Sequence, residues 1–142
     1  MAYKIEIKVR FRAGHRLLSP YVGKCNNPHG EGYTAICIFE KDYLNECGMV
    51  MDFGEIKRKI NSWIDENWDH AYICNSNDEL LPIFKALKFK VFELSNKNPS
   101  AEIMAEELFR IIKNKINPYI KKVGIIESFE DSIAWYDQEE LK

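Results

Sequence analysis

The feature that most constrains the fold is a strict alternation of apolar and charged residues near the beginning of the sequence. Over residues 4–13, every second side chain is apolar and every intervening side chain is charged. A period of two residues is typical of a β-strand that buries one face. His15 keeps the phase of the apolar set if the chain stays extended past Gly14, so we expect this histidine to point into the core.

Helical spacing and structure-breaking residues predict the other elements. Asp52, followed by Glu55, is close to a capping box and predicts the start of a helix. Residues 71–99 carry the weakest pattern, with a short strand suggested only over 91–94. The remaining predictions are a strand over 33–41, a helix between Pro99 and Pro118, and a strand pair over 119–128 and 133–136 that turns at Glu130–Asp131. This order, two strands, two helices and two strands, predicts an α+β fold with an antiparallel sheet.

Composition excludes several classes of protein. A length of 142 residues, 46% of them hydrophobic, predicts one globular domain over residues 1–142. No apolar run approaches the roughly 20 residues that a membrane helix needs. The net charge of −2 gives no sequence-wide basic field for nucleic acid. The first residues lack the apolar core of a secretory signal, and the four cysteines include no C-x-x-C pair. We therefore expect a cytoplasmic protein with reduced thiols that binds neither nucleic acid nor membrane.

Three residues have the spacing of a metal site. His29 and Glu31 are two positions apart, so an extended backbone places both on one face. His15 lies at the inward end of the neighbouring predicted strand. Two histidines and one carboxylate with an open fourth position form a known type of catalytic zinc site. The alternative is a capped loop with one buried, hydrogen-bonded histidine, and the spacing alone leaves both interpretations open.

Cys25, Asp69 and His70 contain the groups of a proton relay. A cysteine in a loop with glycine, lysine and asparagine is reactive if a nearby cation or base lowers its pKa. A carboxylate beside a histidine can orient and tune a general base. The structural alternatives are a small loop residue for Cys25 and a polar pair that ends a helix for Asp69 and His70.

Glu127 is a carboxylate on an otherwise apolar strand face, in phase with Val123 and Ile125. Burying a carboxylate is costly unless a partner compensates it. A ligand with two adjacent N–H donors, such as a pterin or a guanine-like ring, is one such partner. A structural lysine, Lys121 or Lys122, is the other.

Six segments resemble, in the same order, motifs of the 6-pyruvoyltetrahydropterin synthase and 6-carboxytetrahydropterin synthase family. Together they extend over most of the chain, which makes the resemblance specific. The segments are Phe11–Leu17, Gly23–Cys25 with His29-Gly30, Gly48–Phe53, Asp69-His70, Asn98–Glu102 and Glu127-Ser128.

The resemblance implies the tunnelling fold, with a four-stranded antiparallel sheet, two helices on one face, and subunits joined edge to edge into a barrel. It implies a homo-oligomer, a hexamer in this family, with active sites between subunits. It also implies a zinc ion and 7,8-dihydroneopterin triphosphate as substrate. By position, the implied roles are His15 and His29 as zinc ligands, Cys25 as acid/base with Asp69 and His70 as its relay partners, Glu127 as the pterin anchor, and Ser100 and Glu102 as further substrate contacts.

Glu31 departs from the family motif, which has a third histidine at this position. Glutamate is a competent zinc ligand, so we expect a site of His15, His29 and Glu31 with a net charge lower by one. The three residues between Cys25 and His29 are similar to the carboxytetrahydropterin branch, which feeds deazaguanine (queuosine-type) synthesis. The alternatives are the pyruvoyl reaction, an aldolase-like reaction, and a metal-free pterin- or purine-binding protein. Lys24 and Arg16 are candidates to bind the triphosphate.

Overall fold

Two long antiparallel strands form the centre of the fold in the computed structural model, which describes residues 2–128 and 132–137. Strand β1 covers Tyr3–His15 and strand β2 covers His29–Lys41, and they pair along their whole length. The other elements are α1 (Phe53–Asn67), β3 (Tyr72–Asn75), α2 (Leu80–Ala86), β4 (Val91–Leu94), α3 (Ala101–Ile111), β5 (Ile120–Glu127) and β6 (Ile133–Tyr136).

The sheet is larger than predicted. It has six strands in the order β4-β3-β1-β2-β5-β6, and it is mixed because β3 runs parallel to both β1 and β4. The predicted four-stranded antiparallel sheet is therefore wrong, although the α+β class is confirmed. All four residues of β3 are buried, so this strand has no polar face and no alternation that the sequence could reveal.

Helices α1 and α3 cover one face of the sheet, as predicted. The apolar face of β1 contributes Ile7, Val9 and Phe11 to a single large core. Helix α1 begins after Asp52, whose carboxylate accepts the Glu55 N–H over 2.8 Å, so the predicted cap is confirmed. The helical residues buried against the sheet are Ile56, Ile60, Ile64, Met104, Ala105, Leu108 and Phe109.

Helix α2 is an unpredicted third helix on a second, smaller apolar cluster. Tyr72 and Cys74 of β3 pack with Leu81 of α2, whereas Ile73 between them belongs to the large core. Helix α2 therefore lies on the face of the sheet opposite to α1 and α3.

The strand bounds at the site extend beyond those predicted. Strand β2 starts at His29 rather than at residue 33, because its pairing with β1 continues to the end of that strand. Strands β5 and β6 pair antiparallel, as predicted, while the predicted turn at Glu130–Asp131 lies outside the described residues. Among the helices of the described residues, none has both the length and the apolar character needed to cross a membrane.

Candidate functional site

The pairing of the two long strands places the predicted metal ligands beside one another. His15 lies opposite His29, and Ala13 lies opposite Glu31, in the antiparallel register of β1 and β2. Because residues two apart in a strand share a face, all three candidate ligands point to the helix-covered side of the sheet. His15 is 2% exposed, which confirms the inward orientation predicted from the alternation.

The ligand atoms of these residues converge on one point. The Nε2 atoms of His15 and His29 are 3.0 Å apart, and Glu31 Oε1 is 3.2 Å from His29 Nε2. All three ligand atoms lie within 4.8 Å of one another. This is a compact site with one carboxylate and two imidazoles, a ligand set that zinc accepts.

Both imidazoles use their other nitrogen to donate to the backbone. His15 Nδ1–H donates to the Pro99 carbonyl over 2.9 Å, and His29 Nδ1–H donates to the Asn27 carbonyl over 2.7 Å. The two Nε2 atoms then present lone pairs to each other, an arrangement that a cation between them would stabilise. Burial lowers the pKa of His15, which favours the neutral, metal-binding form. A metal-bound histidine usually donates its other ring N–H in a hydrogen bond that fixes the orientation of the ring.

The buried hydroxyl of Tyr33 lies between the three candidate metal ligands, His15, His29 and Glu31, and other predicted site residues. These three candidate ligands are called the metal cluster below. The hydroxyl lies 3.1 Å from His15 Nδ1. Burial raises the pKa of Tyr33, and the charges of Glu127, Glu31 and Cys25 raise it further. Tyr33 also pairs with Glu127 across β2 and β5. The predicted pterin anchor therefore lies on the strand next to the candidate metal ligands.

Cys25 lies in one turn of 3-10 helix, Lys24–Asn26, and is half-buried. The N–H of Leu17 donates to the Cys25 carbonyl over 2.8 Å, which ties this turn to the end of β1. A side-chain hydrogen bond to Cys25 raises the pKa of Tyr21. Gly23 is favoured here because its φ of 154° is a backbone conformation that other residues rarely adopt.

Asp69 and His70 form a hydrogen-bonded pair beside β1. His70 Nδ1–H donates to Asp69 Oδ2 over 2.8 Å, and the Arg12 N–H donates to Asp69 Oδ1 over 3.0 Å. The His70 side chain is 76% exposed. Within residues 2–128 and 132–137, no hydrogen bond or ion pair joins Cys25 to either member of the pair. In the described part of a single chain, no such contact thus connects the thiol with the carboxylate–histidine pair.

Ser100 and Glu102 lie at the beginning of α3. Ser100 is the N-cap residue, and its hydroxyl accepts the Ile103 N–H over 3.2 Å. Glu102 lies in the first turn and is exposed. From this segment, the Pro99 carbonyl provides the contact with the metal cluster. A contact of Ser100 or Glu102 with substrate stays a prediction.

The structure argues against Arg16 as a phosphate ligand. Its guanidinium donates to both carboxylate oxygens of Asp78, at distances of 2.6 to 3.1 Å. The Asp78 side chain is fully buried and that of Arg16 is 18% exposed. The suggestion that Arg16 binds the triphosphate is therefore corrected: its charge is already compensated by Asp78.

An open groove of about 1190 Å³ follows the sheet face opposite to α1 and α3. Its lining includes Arg10, Arg12, Asp69 and His70, and also Ser128 and Glu31, whose side chain is directed to the helix-covered face. The groove and the candidate metal ligands therefore lie on opposite faces of the sheet.

Two residues that contact the cluster were not predicted from the sequence. Ser128 Oγ donates to Glu31 Oε2, which leaves Oε1 facing the histidines. Tyr33 is in phase with His29 and Glu31 in the alternating strand, so its inward position could have been found. No sequence signal indicates the contact between Ser128 and Glu31, because it joins strand β2 to the residue that follows β5.

Known proteins resemble this chain in sequence and in fold. The family model described as 6-pyruvoyl tetrahydropterin synthase matches residues 4–139. The 6-carboxy-5,6,7,8-tetrahydropterin synthase of Rickettsia bellii is 37% identical over 113 residues, which is 78% of each chain. The enzyme of the same name from Aquifex aeolicus is 31% identical over 135 residues, covering 82% of each chain.

A solved structure extends the likeness to the whole fold. The 6-pyruvoyl tetrahydropterin synthase of Caenorhabditis elegans superposes with a TM-score of 0.72 at 25% identity, covering 96% of each chain. The predicted family resemblance is therefore confirmed. This chain belongs to the 6-pyruvoyl tetrahydropterin synthase family and is a synthase-like lyase.

Proposed function

We propose that this protein is a zinc-dependent 6-carboxy-5,6,7,8-tetrahydropterin synthase that acts on 7,8-dihydroneopterin triphosphate in deazaguanine (queuosine-type) synthesis. The observation that carries the proposal is the convergence of His15 Nε2, His29 Nε2 and the Glu31 carboxylate at 3.0 and 3.2 Å beside Glu127. Support for the 6-carboxy product comes from the names of the relatives that are 37% and 31% identical.

His15, His29 and Glu31 would hold the zinc ion. When bound, zinc supplies a positive charge that polarises an oxygen of the substrate and makes neighbouring protons more acidic. The backbone carbonyls of Pro99 and Asn27 keep both imidazoles in the tautomer that leaves Nε2 available. These contacts order the site before a ligand arrives.

Glu127 would orient the pterin ring. A pterin has an exocyclic amine and a ring N–H side by side, and one carboxylate can accept both hydrogens in parallel. Strand pairing with Tyr33 holds Glu127 on the same face as the metal ligands. The substrate side chain would then extend from the ring toward the cluster.

Cys25 would exchange protons with the substrate side chain, which loses triphosphate during the reaction. The Nδ1–H of His70 donates a hydrogen bond to Asp69, so the Nε2 atom of His70 is available to accept a proton from a thiol. Since this pair is separate from Cys25 within one chain, we place the Asp69 and His70 of a second copy beside Cys25. The protein would then act as a homo-oligomer with active sites between subunits.

Product analysis tests the proposed function. Purified protein is incubated with 7,8-dihydroneopterin triphosphate, and the pterin product and the bound metal are identified. We expect 6-carboxytetrahydropterin and one zinc ion per chain. A 6-pyruvoyl product or a product of aldol cleavage would place the chain in another branch of the family. Pterin binding without metal or turnover would indicate a binding protein.

A further inference from the structure

Residues 16–28 connect β1 with β2, and this connection contains Cys25. The N–H of Leu17 donates to the Cys25 carbonyl over 2.8 Å, and Asn26 Nδ2–H donates to the Leu17 carbonyl over 2.9 Å. Both contacts lie within the connection itself. The position of the thiol relative to the rest of the fold therefore depends on what holds the chain at Leu17 and Leu18.

The side chain of Asn98 holds Leu18 by both of its backbone groups. Asn98 Oδ1 accepts the Leu18 N–H over 3.1 Å, and Asn98 Nδ2–H donates to the Leu18 carbonyl over 2.9 Å. A side-chain amide that bonds both groups of one residue replaces the partner that a neighbouring strand would supply. Asn75, which is 9% exposed, donates its Nδ2–H to Asn98 Oδ1 over 3.3 Å and so supports this orientation of the amide.

Asn98 also belongs to the segment that orients a candidate metal ligand. The next residue is Pro99, whose carbonyl accepts the His15 Nδ1–H. The Asn98 carbonyl accepts the Ser100 N–H over 2.9 Å at the beginning of α3. Asn98 is half-buried and Pro99 is buried, so both are part of the packed fold. Asn98 thus connects the metal cluster and the start of α3 with the loop that contains Cys25.

We propose that Asn98 is a positioning residue that sets the place of the Cys25 turn relative to the metal cluster. The assignment rests on the proposed function, in which the thiol exchanges protons with a substrate held beside the metal ligands. Proton transfer needs heavy atoms within about 2.6–3.2 Å of each other, so a small displacement of the turn lowers the rate rather than the affinity. Asn98 acts through the main chain of Leu18 and Pro99.

Kinetics of Asn98→Ala at saturating zinc test this role. A misplacement of about 1 Å can lower a rate by about 100-fold, so we expect kcat for 7,8-dihydroneopterin triphosphate to fall by about 10–100-fold. KM and the affinity for biopterin should stay within about twofold of the wild type, because Glu127, the proposed pterin anchor, lies on β5.

Two further variants separate positioning from a general loss of structure. Asn98→Asp has the same size and still accepts the Leu18 N–H, but it loses the donor to the Leu18 carbonyl, so its kcat should be intermediate. Should Asn98→Ala fail to fold, the comparison of Asn98→Asp with the control decides. The matched control is Asn77→Ala, which removes an amide hydrogen bond to Asn96 of 2.6 Å and should keep the wild-type kcat.

Alkylation of Cys25 tests the same role without turnover. In a Cys47→Ser background, iodoacetamide reports on Cys25, because Cys37 and Cys74 are buried. We expect Asn98→Ala to be alkylated about tenfold faster than the wild type, because the two lost hydrogen bonds no longer oppose local opening of the turn. The control variant should react at the wild-type rate.

These measurements distinguish a failure of the positioning role from a failure of the proposed function. Faster alkylation of Asn98→Ala, with no turnover by the wild type, would keep the role and reject the function. Wild-type kcat and alkylation rate in both Asn98 variants would overturn the role and leave the function unaffected. A loss of biopterin affinity as large as the loss of kcat would also overturn it, because that pattern indicates general disruption of the site.

Discussion

At the scale of single residues, the carboxylate of Glu31 distinguishes this candidate metal site from the His-Gly-His segment of the family motif. One oxygen faces His29 and the other accepts a hydrogen bond from Ser128. Mutation of a residue that orients a metal ligand in this way typically lowers metal affinity by about 10–100-fold. We therefore expect the Ser128 contact to influence metal binding through the orientation of Glu31.

We predict that Glu31→Ala weakens zinc binding more than Ser128→Ala, which should weaken it by about 10–100-fold. The reason is that Glu31→Ala removes a ligand atom. Ser128→Ala removes only the hydrogen bond that orients the Glu31 carboxylate. Competition with a chelator of known affinity measures both. Glu31→His, which restores the family motif, is the control and should retain zinc. Unchanged zinc affinity in Glu31→Ala would show that the carboxylate is not a ligand.

Glu127 gives a second prediction at this scale. Glu127→Ala should weaken biopterin binding by one or more orders of magnitude, because two charge-assisted hydrogen bonds of roughly 1.5–3 kcal/mol each are lost. Glu127→Gln keeps the shape but turns an amide donor toward a ligand N–H, so it should also bind weakly. Calorimetric titration measures both variants. Normal affinity with reduced stability would instead support a structural role with Lys121 or Lys122.

At the scale of elements, a buried ion pair anchors the start of α2 to the end of β1. Asp78 accepts hydrogen bonds from Arg16, from the Tyr72 hydroxyl over 2.8 Å and from the Leu80 N–H over 2.9 Å. Burial raises the pKa of Asp78, but these hydrogen bonds outweigh it and leave the pKa below its ordinary value. Because Arg16 follows His15 directly, this contact also fixes the chain next to the metal cluster.

We predict that Asp78→Asn lowers the free energy of unfolding at pH 7 by about 3 kcal/mol, since it leaves Arg16 with an uncompensated, largely buried charge. The native pKa is lower than the unfolded one, so the wild-type advantage is complete above the ordinary aspartate pKa of about 3.9. It is lost as the pH falls through the native pKa. Urea unfolding between pH 7 and pH 3 measures this difference.

Glu93→Gln is the control for that experiment. Glu93 pairs with Lys85 at 2.7 Å, but both side chains are about half exposed, at 42% and 52%. Exposed pairs typically contribute less than about 1 kcal/mol. An Asp78→Asn variant as stable as Glu93→Gln would contradict the anchoring role of Asp78.

At the scale of the whole molecule, the separation of Cys25 from Asp69 and His70 predicts complementation between subunits. Cys25→Ala and His70→Ala should each abolish turnover, with zinc content and pterin binding retained in Cys25→Ala. Refolding the two inactive variants together should restore roughly a quarter of the wild-type activity, because random mixing gives that share of sites two intact halves. Each variant refolded alone is the control. A mixture as inactive as its components would show that the relay forms within one chain.

The local pattern of the sequence determined the parts of the molecule that bury only one face. The alternation over 4–13 gave β1 and the inward orientation of His15, and the same period gave the shared face of His29 and Glu31. Asp52 marked the start of α1, because capping depends on neighbouring residues alone, and Pro99 marked the start of α3. The six motifs, because they occur together and in the family's order, were sufficient to indicate the family.

Tertiary structure decided what depends on contacts between distant residues. Strand β3 is buried on both faces and α2 covers its second face, so neither the six-stranded sheet nor this helix could be derived from a period of two or of 3.6 residues. Arg16 pairs with Asp78, which is 62 positions away in the sequence. Glu31 is hydrogen-bonded to Ser128, which is 97 positions away. The local sequence does not predict such partners, because strand register and helix placement bring them together only after the core has formed.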